Sequence, residues 1–349
     1  MAILEIIKKL ILRPDKFTTT HAETALTEIM QNNATSAQIA AFLVALKLNG
    51  KDSDPAIVAA CSKAMLKFTN LDLSVYDGLQ DSLIDIVGTG GDGMDTFNVS
   101  TTASIVIAGA GCKVVKFGNK AASSKSGSAD ILEKVGCEIT KVTSKNAYHV
   151  IKSTDFCFLF AQNFYSALSY AASTRREIGV PTILNLLGPI SNPAKPKRVV
   201  IGVHSKYLGK LVIEALKLKG VIEAMVVNGA IGLDEISPEG ETFVWHLSQS
   251  NIREYTISPV DFDLPSHPIS TVKGGTPQEN ADLLIKLLSN EYEGPILDFV
   301  LLNASAALVV SGLAKDFKHG VVLARKSISS GKAKEALENF RDLIKNLHD

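Results

Sequence analysis

The chain is short of the features that usually assign a protein at sight. Its 349 residues hold 36 Lys and Arg against 36 Asp and Glu. A net charge of zero supplies no general field for nucleic acid or an anionic membrane, so neither is an expected partner. No apolar run approaches the roughly 20 residues that span a bilayer. The opening MAILEIIKKLILRPDK mixes charge into its apolar face, as an amphipathic helix does and a secretory signal does not. Cysteine is sparse: Cys61, Cys112, Cys137 and Cys157 stand 20 to 51 residues apart, without a CxxC pair. That spacing argues against a disulfide framework or a zinc site and for reduced core thiols in a cytoplasmic protein. Repeats and low-complexity tracts are absent, and 46% hydrophobic with 21% charged residues is globular rather than disordered. The length favours one large domain with a smaller partner.

What is present divides into two textures. Up to about residue 75 the spacing predicts helices: 2–12, Thr20 or His21 to Asn32, one capped by Ser36 and stopped at Gly50, and one opened by Asp54-Pro55. From Ser82, strand and helix alternate. LIDIV (83–87), KVVKF (113–117), FCFLF (156–160), PTILNLLG (181–188), RVVIGV (198–203) and AMVVNG (224–229) read as buried strands. Near-continuous apolar strands between helices predict an α/β domain with a parallel or mixed sheet covered on both faces. YSALSYAASTRREIG (165–179) reads as a helical return to the N-terminal helices, leaving a hinge and a cleft. The expected division is a small helical domain of 1–75 plus about 168–188, and a large α/β domain of 76–167 plus 189–349.

The chemistry concentrates between Asp81 and Glu133. A strand enters the cluster Gly88-Thr89-Gly90-Gly91-Asp92-Gly93, a hydroxyl-rich turn leads into an apolar helix, and a second strand runs into KFGNKAASSKSGSAD. Backbone N–H groups, hydroxyls and ammonium groups at that density suit a phosphate or pyrophosphate. Loops after successive parallel strands open on the same sheet edge. The cluster matches GxGxxG formally, so a nicotinamide-dependent oxidoreductase is a rival reading. However, Asp95, Thr96, Phe97 and Asn98 intervene before the helix, and the second strand ends in Gly118-Asn119-Lys120 without the ribose carboxylate. The lysine of a Walker loop is missing too. Asp92 would oppose a pyrophosphate unless a cation stood between them, so the loop is expected to take pyrophosphate together with a metal.

GTGGD, NVST, the KFGNKAASSKSGSAD loop, RREIG, NLLGPISNP and GLDEIS resemble, in order and spacing, the signature segments of the anthranilate phosphoribosyltransferases, across about residues 20 to 330. The resemblance implies a nucleoside-phosphorylase-like fold, a small helical domain beside a large α/β domain with a mixed, mostly parallel sheet, and a homodimer joined through the helical domains. It implies transfer of phosphoribosyl from phosphoribosyl pyrophosphate (PRPP) to the anthranilate amine, releasing pyrophosphate, the second step of tryptophan biosynthesis from chorismate. Mg²⁺ is the implied cofactor, two ions with PRPP bound.

Residue by residue, the resemblance assigns PRPP to Gly88, Gly91 and Asp92, to Thr96, Asn98, Val99, Ser100 and Thr101 at the helix entrance, and to the closing loop. That loop contributes Lys116, Asn119, Lys120, Ala121, Ala122, Ser123 and Ser124, followed by Ser128, which also reads as the N-cap of ADILEKVG. Ser100, Asp234 and Glu235 are the implied metal ligands: hard oxygens completed by substrate phosphates suit Mg²⁺. Gly88, Asn119, Arg175, Gly188 and Pro189 form the implied anthranilate side, with Arg175 on the carboxylate, a bidentate task for a guanidinium.

Two positions depart from the family pattern. Phe117 stands where the family has histidine, and Phe164-Tyr165-Ser166-Ala167 replaces F-H-P-A. These departures leave open a homologue that uses a different aromatic amine. A silent homologue binding nucleic acid through Lys113, Lys116, Lys120 and Lys125 is disfavoured by neutral charge and absent interleaved aromatics. Lys116, Asp234 and Glu235 are expected to act electrostatically on the leaving pyrophosphate, with no strong general base and late proton loss to water or pyrophosphate.

Overall fold

The computed structural model describes residues 2–69, 71, 78–121 and 124–347. The boundary expected near residue 75 lies outside the described residues. The N-terminal helices are α1 (Ala2–Leu12), α2 (Thr19–Met30), α3 (Ser36–Leu48) and α4 (Pro55–Leu66). The third is capped by Thr35 rather than Ser36: the Thr35 hydroxyl accepts from Gln38 N–H at 3.3 Å while Gln38 accepts from Thr35 N–H at 3.0 Å. Asp54 caps α4 by accepting from Ala56 N–H at 2.9 Å.

The α/β part contains β1 (Leu83–Gly88), α5 (Val99–Gly109), β2 (Lys113–Gly118), α6 (Ser128–Lys134), α7 (Ala147–Ser153) and β3 (Phe156–Phe160). Then come α8 (Ser169–Ile178), α9 (Ile183–Ile190), β4 (Arg198–Gly202), α10 (Lys206–Leu218), β5 (Glu223–Gly229), β6 (Thr242–Ser248) and β7 (Asn251–Ile257). Helices α11 (Pro277–Leu288), α12 (Pro295–Ser311), α13 (Phe317–Ser329) and α14 (Lys332–Lys345) complete the chain. The strands form one sheet in the order β3-β2-β1-β4-β5-β6-β7. The pairs from β3 across to β5 are parallel, and the last two pairs are antiparallel. Helices α5, α12 and α14 cover one face. Helix α10 covers the other and carries α4 on its outer side, which seats the helical bundle there. Helix α8, within the 165–179 segment, packs on α2 and α3, and α9 packs on α4, so both return to the N-terminal helices.

The structure corrects two further sequence readings and adds a hairpin. PTILNLLG is helix α9, not a strand. Its buried residues Ile183, Leu184, Leu186, Leu187 and Ile190 follow helical spacing, and Asn185 accepts from Thr182 N–H at 3.1 Å to start the turn. The β6–β7 hairpin went unread, because Gln249-Ser250 turns with φ 49° and 66° without the Asn-Gly or Asp-Gly signal. Gly127 rather than Ser128 caps α6, and Asp130 Oδ2 accepts from Gly127 N–H at 2.8 Å and Ala121 N–H at 2.9 Å. All four cysteines are free and buried. Among the described residues no helix is long and apolar enough to cross a membrane.

Candidate active site

The chain order reverses between β1 and β4, which are neighbours although β2 and β3 lie between them in sequence. Loops leaving the carboxyl ends of such a pair diverge and open a crevice. Gly88 and Gly202 pair at that end, and Thr89 N–H donates to Gly202 O at 2.9 Å. The Asp234-Glu235 segment following β5 lies directly over them. A Cβ on Gly202 would stand 1.5 Å from the Asp234 carbonyl oxygen, and one on Gly88 would stand 2.4 Å from Asp234 Oδ2. Two bare strand ends are therefore what let the acidic segment rest on the sheet. Gly90 and Gly91, at φ 70° and 83°, fold the glycine loop back so that Gly90 N–H donates to Asp234 Oδ2 at 2.6 Å. Asp92 accepts from Met94 N–H at 3.0 Å and lies within hydrogen-bonding reach of Asp234.

The electrostatics are lopsided. Burial, reinforced by the charge and hydrogen bond of Asp92, pushes Asp234 up to about 8. Burial and the Asp234 charge raise Glu235 well above its ordinary value, against the pull of Lys116 and a hydrogen bond with Ser100. The Lys116 ammonium, 1% exposed, donates to Ile86 O at 2.6 Å and Ser100 Oγ at 3.3 Å. It therefore sits under the crevice as a fixed charge, held to protein oxygens rather than reaching out as a phosphate arm. Burial lowers its pKa while Asp85 and Glu235 oppose that shift. Asp85, raised by burial to about 6, accepts from Asn192 Nδ2 at 2.8 Å, and its other oxygen has no hydrogen-bond partner among the described residues.

One ammonium thus faces Asp85 and Glu235, with Asp92 and Asp234 alongside, and this excess of buried carboxylate is what a divalent cation relieves. The donors Ser100, Asp234 and Glu235 are all hard oxygens, the set Mg²⁺ prefers, so the residues fit that ion. No three His, Cys, Asp or Glu side chains converge to hold a metal among the described residues. Water and substrate phosphates would supply the remaining ligands.

At the entrance of α5, several assigned residues bind one another. Asn98 donates to Ser126 O at 2.9 Å and accepts from Ser126 Oγ at 3.0 Å and Asn280 Nδ2 at 2.8 Å. Thr101 Oγ1 donates to Ser128 Oγ at 2.9 Å. These bonds pin the far end of the Lys/Ser loop to the helix entrance, where Val99 is buried and Thr96 bridges Lys273. Lys120 is ion-paired with Glu133 at 3.0 Å, and Ser124 is exposed. Ala122 and Ser123 lie outside the described residues.

On the acceptor side, Arg175 of α8 is half-buried, its guanidinium makes no hydrogen bond or ion pair among the described residues, and burial lowers its pKa. Gly188 and Pro189 sit in α9, and a Cβ on Gly188 would meet nothing within 4 Å, so the helix leaves open space there. Asn119 is exposed after β2. The two departures from the family pattern are in contact: the Phe117 and Tyr165 rings meet edge to face with centroids 5.6 Å apart. Tyr165 donates to the Ser191 carbonyl at 2.5 Å. Gly202, Asp85 and Asn192 went unread in the sequence. The only signal was a glycine ending a second strand at the same sheet edge, and burial of the other two cannot be seen in one dimension.

A helical bundle set on a doubly wound sheet, with carboxylates at the switch point, defines a class, and sequence comparison agrees. Residues 4–69 match the glycosyl transferase family helical bundle domain and residues 80–334 the glycosyl transferase family a/b domain. The chain is 43% identical over 320 residues to the anthranilate phosphoribosyltransferase of Schizosaccharomyces pombe, covering 91% of this chain and 90% of that protein. It is 40% identical over 343 residues to that of Aquifex aeolicus, covering 97% and 99%. The Saccharomyces cerevisiae anthranilate phosphoribosyltransferase in complex with PRPP and Mg superposes with a TM-score of 0.91 at 34% identity, covering 99% of this chain and 98% of that one. This chain belongs to the anthranilate phosphoribosyltransferase family. None of these relatives supports the dinucleotide reading or a different acceptor.

Proposed function

We infer that this chain transfers the phosphoribosyl group of PRPP to the amine of anthranilate, releasing pyrophosphate. The observation that carries it is the buried carboxylate pair laid over the switch-point glycines in a chain related to these enzymes over nearly its whole length. Ser100, Asp234 and Glu235 would hold Mg²⁺, which would supply Lewis-acid stabilisation of the leaving pyrophosphate. The protein's own groups do the rest. The glycine loop and the α5 entrance hold the phosphates, where helix N–H groups favour an anion by roughly 0.3–1 kcal/mol. Lys116 offsets part of the carboxylate charge from beneath. Arg175 orients the acceptor so that its amine attacks the anomeric carbon as the C–O bond to pyrophosphate breaks, and the amine proton leaves late, to water or pyrophosphate. Positioning at about 3–3.5 Å is a large part of such an acceleration.

Two tests follow. Arg175→Ala should raise the acceptor KM roughly 10- to 150-fold, the equivalent of one charge-assisted bond of about 1.5–3 kcal/mol. The KM for PRPP should barely move, and equal losses for both substrates would make Arg175 a structural residue of the hinge. Phe117→His with Tyr165→His should change kcat/KM for anthranilate only modestly. The same pair should lower stability by about 0.5–1.5 kcal/mol through the lost ring contact, plus about 1 kcal/mol for the Ser191 bond. A large gain in kcat/KM would mean that the aromatic pair had retuned the acceptor site.

The domain division expected from the sequence is kept as our reading, since α8 and α9 pack on the helical bundle. A homodimer through that bundle is supported by exposed Leu12 (75%) on α1 and Leu48 (81%) on α3, with Leu4, Ile11 and Val44 beside them. Leu48→Asp should shift sedimentation toward monomer, and an unchanged profile would move the interface elsewhere. Four free buried thiols support a reducing, cytoplasmic setting.

A further inference from the structure

A cavity of about 120 Å³, bordered by Pro189 of the acceptor segment, lies where the helical bundle meets the α/β domain. Its apolar wall comes from Leu66 at the end of α4, Ile190 at the end of α9, Val199 of β4 and Leu216 of α10. Three lysines, Lys195, Lys197 and Lys219, complete it, and no Asp or Glu lines it. Lys197 donates to Gly220 O at 2.9 Å and Lys195 is exposed. Lys219 is the unusual one. Its ammonium is turned into the junction, where it donates to Ser62 Oγ at 2.5 Å and to the Ile190 carbonyl, and it has no ion pair among the described residues. A sequestered ammonium normally has a counter-ion, because neutral acceptors repay only part of its lost hydration. Two of its three donors are occupied, which leaves one for a ligand.

We propose that this cavity is a second ligand site, for a small carboxylate carrying an apolar body about one ring in size. An apolar cavity of about 150 Å³ is known to hold a benzene ring, so a single ring is close to the size that fits. The carboxylate would bond Lys219, with Lys195 and Lys197 adding long-range attraction. The site bears on the acceptor segment, because the Ile190 carbonyl that Lys219 now holds ends the helix carrying Gly188 and Pro189. A carboxylate bound to the third donor would stand beside that carbonyl on the same ammonium.

Burial first, and the Lys195 charge second, lower the Lys219 pKa to about 7. The sign is then set: a carboxylate binds the protonated amine, so affinity should fall as pH rises from 6 to 8, with proton uptake on binding near pH 7. The test uses 4-fluorobenzoate, followed by fluorine NMR on the full chain. Arg175→Ala weakens binding at the acceptor side roughly 10- to 150-fold, out of the titrated range, and so separates the two sites. In that background one saturable site should remain, at least tenfold weaker when Lys219→Met is added, while 4-fluorobenzyl alcohol should not saturate. Absence of saturable binding in Arg175→Ala, or binding indifferent to Lys219→Met, would overturn the proposal. Should the Lys219 variant not fold, Leu66→Phe fills the cavity from the opposite wall. Binding should then disappear, and binding retained in that variant would equally overturn it.

Discussion

Glu235→Gln should lose most PRPP turnover, by at least 10²-fold, while the protein stays folded. The loss follows from chemistry: glutamine keeps the shape and removes the anionic oxygen that would help hold Mg²⁺, and Lewis-acid stabilisation of a leaving group amounts to several kcal/mol, with each 1.36 kcal/mol a factor of ten. Retained folding follows from electrostatics, since Glu235 is 9% exposed and is raised by burial and by the Asp234 charge beside it. Neutralising it removes a repulsion, so the melting temperature measured without metal should hold or rise. Steady-state rates at limiting Mg²⁺ decide the matter, because near-wild-type turnover there would take Glu235 out of the site.

Gly202→Ala should be comparably damaging although Gly202 need touch no substrate. The added methyl would stand 1.5 Å from the Asp234 carbonyl oxygen, a backbone atom that cannot swing aside as a side-chain end can. The Asp234-Glu235 segment must lift off the sheet, moving both carboxylates, and an ångström of displacement costs about 10²-fold in a positioned reaction. Overpacking of this kind also destabilises by typically 1–3 kcal/mol. Gly188→Ala is the control, since its methyl would meet nothing within 4 Å; stability should hold and any effect should fall on the acceptor KM. Wild-type kcat in Gly202→Ala would show that the acidic segment tolerates displacement and is not the site's rigid element.

Much of this was legible in one dimension because it is local. The amphipathic spacing of α1, the Asp54-Pro55 start of α4 and the apolar runs of β1 to β5 each encode their own conformation within a few residues, so those elements appear where periodicity places them. The reading of 88–128 as a phosphate site is equally local, resting on glycine, hydroxyl and ammonium density. Where the sequence misled, a local signal was ambiguous. Ile183–Ile190 is apolar enough for strand or helix, and Gln249-Ser250 lacks the residues that announce a tight hairpin.

By itself, then, the sequence determined the two textures, the parallel-sheet class, and the family through six ordered segments. Tertiary structure alone decided which groups act together. Gly202 and Asp234 are 32 positions apart, Asp85 and Asn192 are 107 apart, and neither pairing leaves a trace in either segment. Whether Lys116 is an exposed phosphate arm or a buried counter-charge depends on burial, which the sheet imposes by closing both its faces. That Phe117 and Tyr165 form one unit rather than two separate departures depends on β2 ending beside the turn that follows β3. In each case the deciding quantity is the local dielectric or the distance between distant segments, and both come into being only when the chain packs.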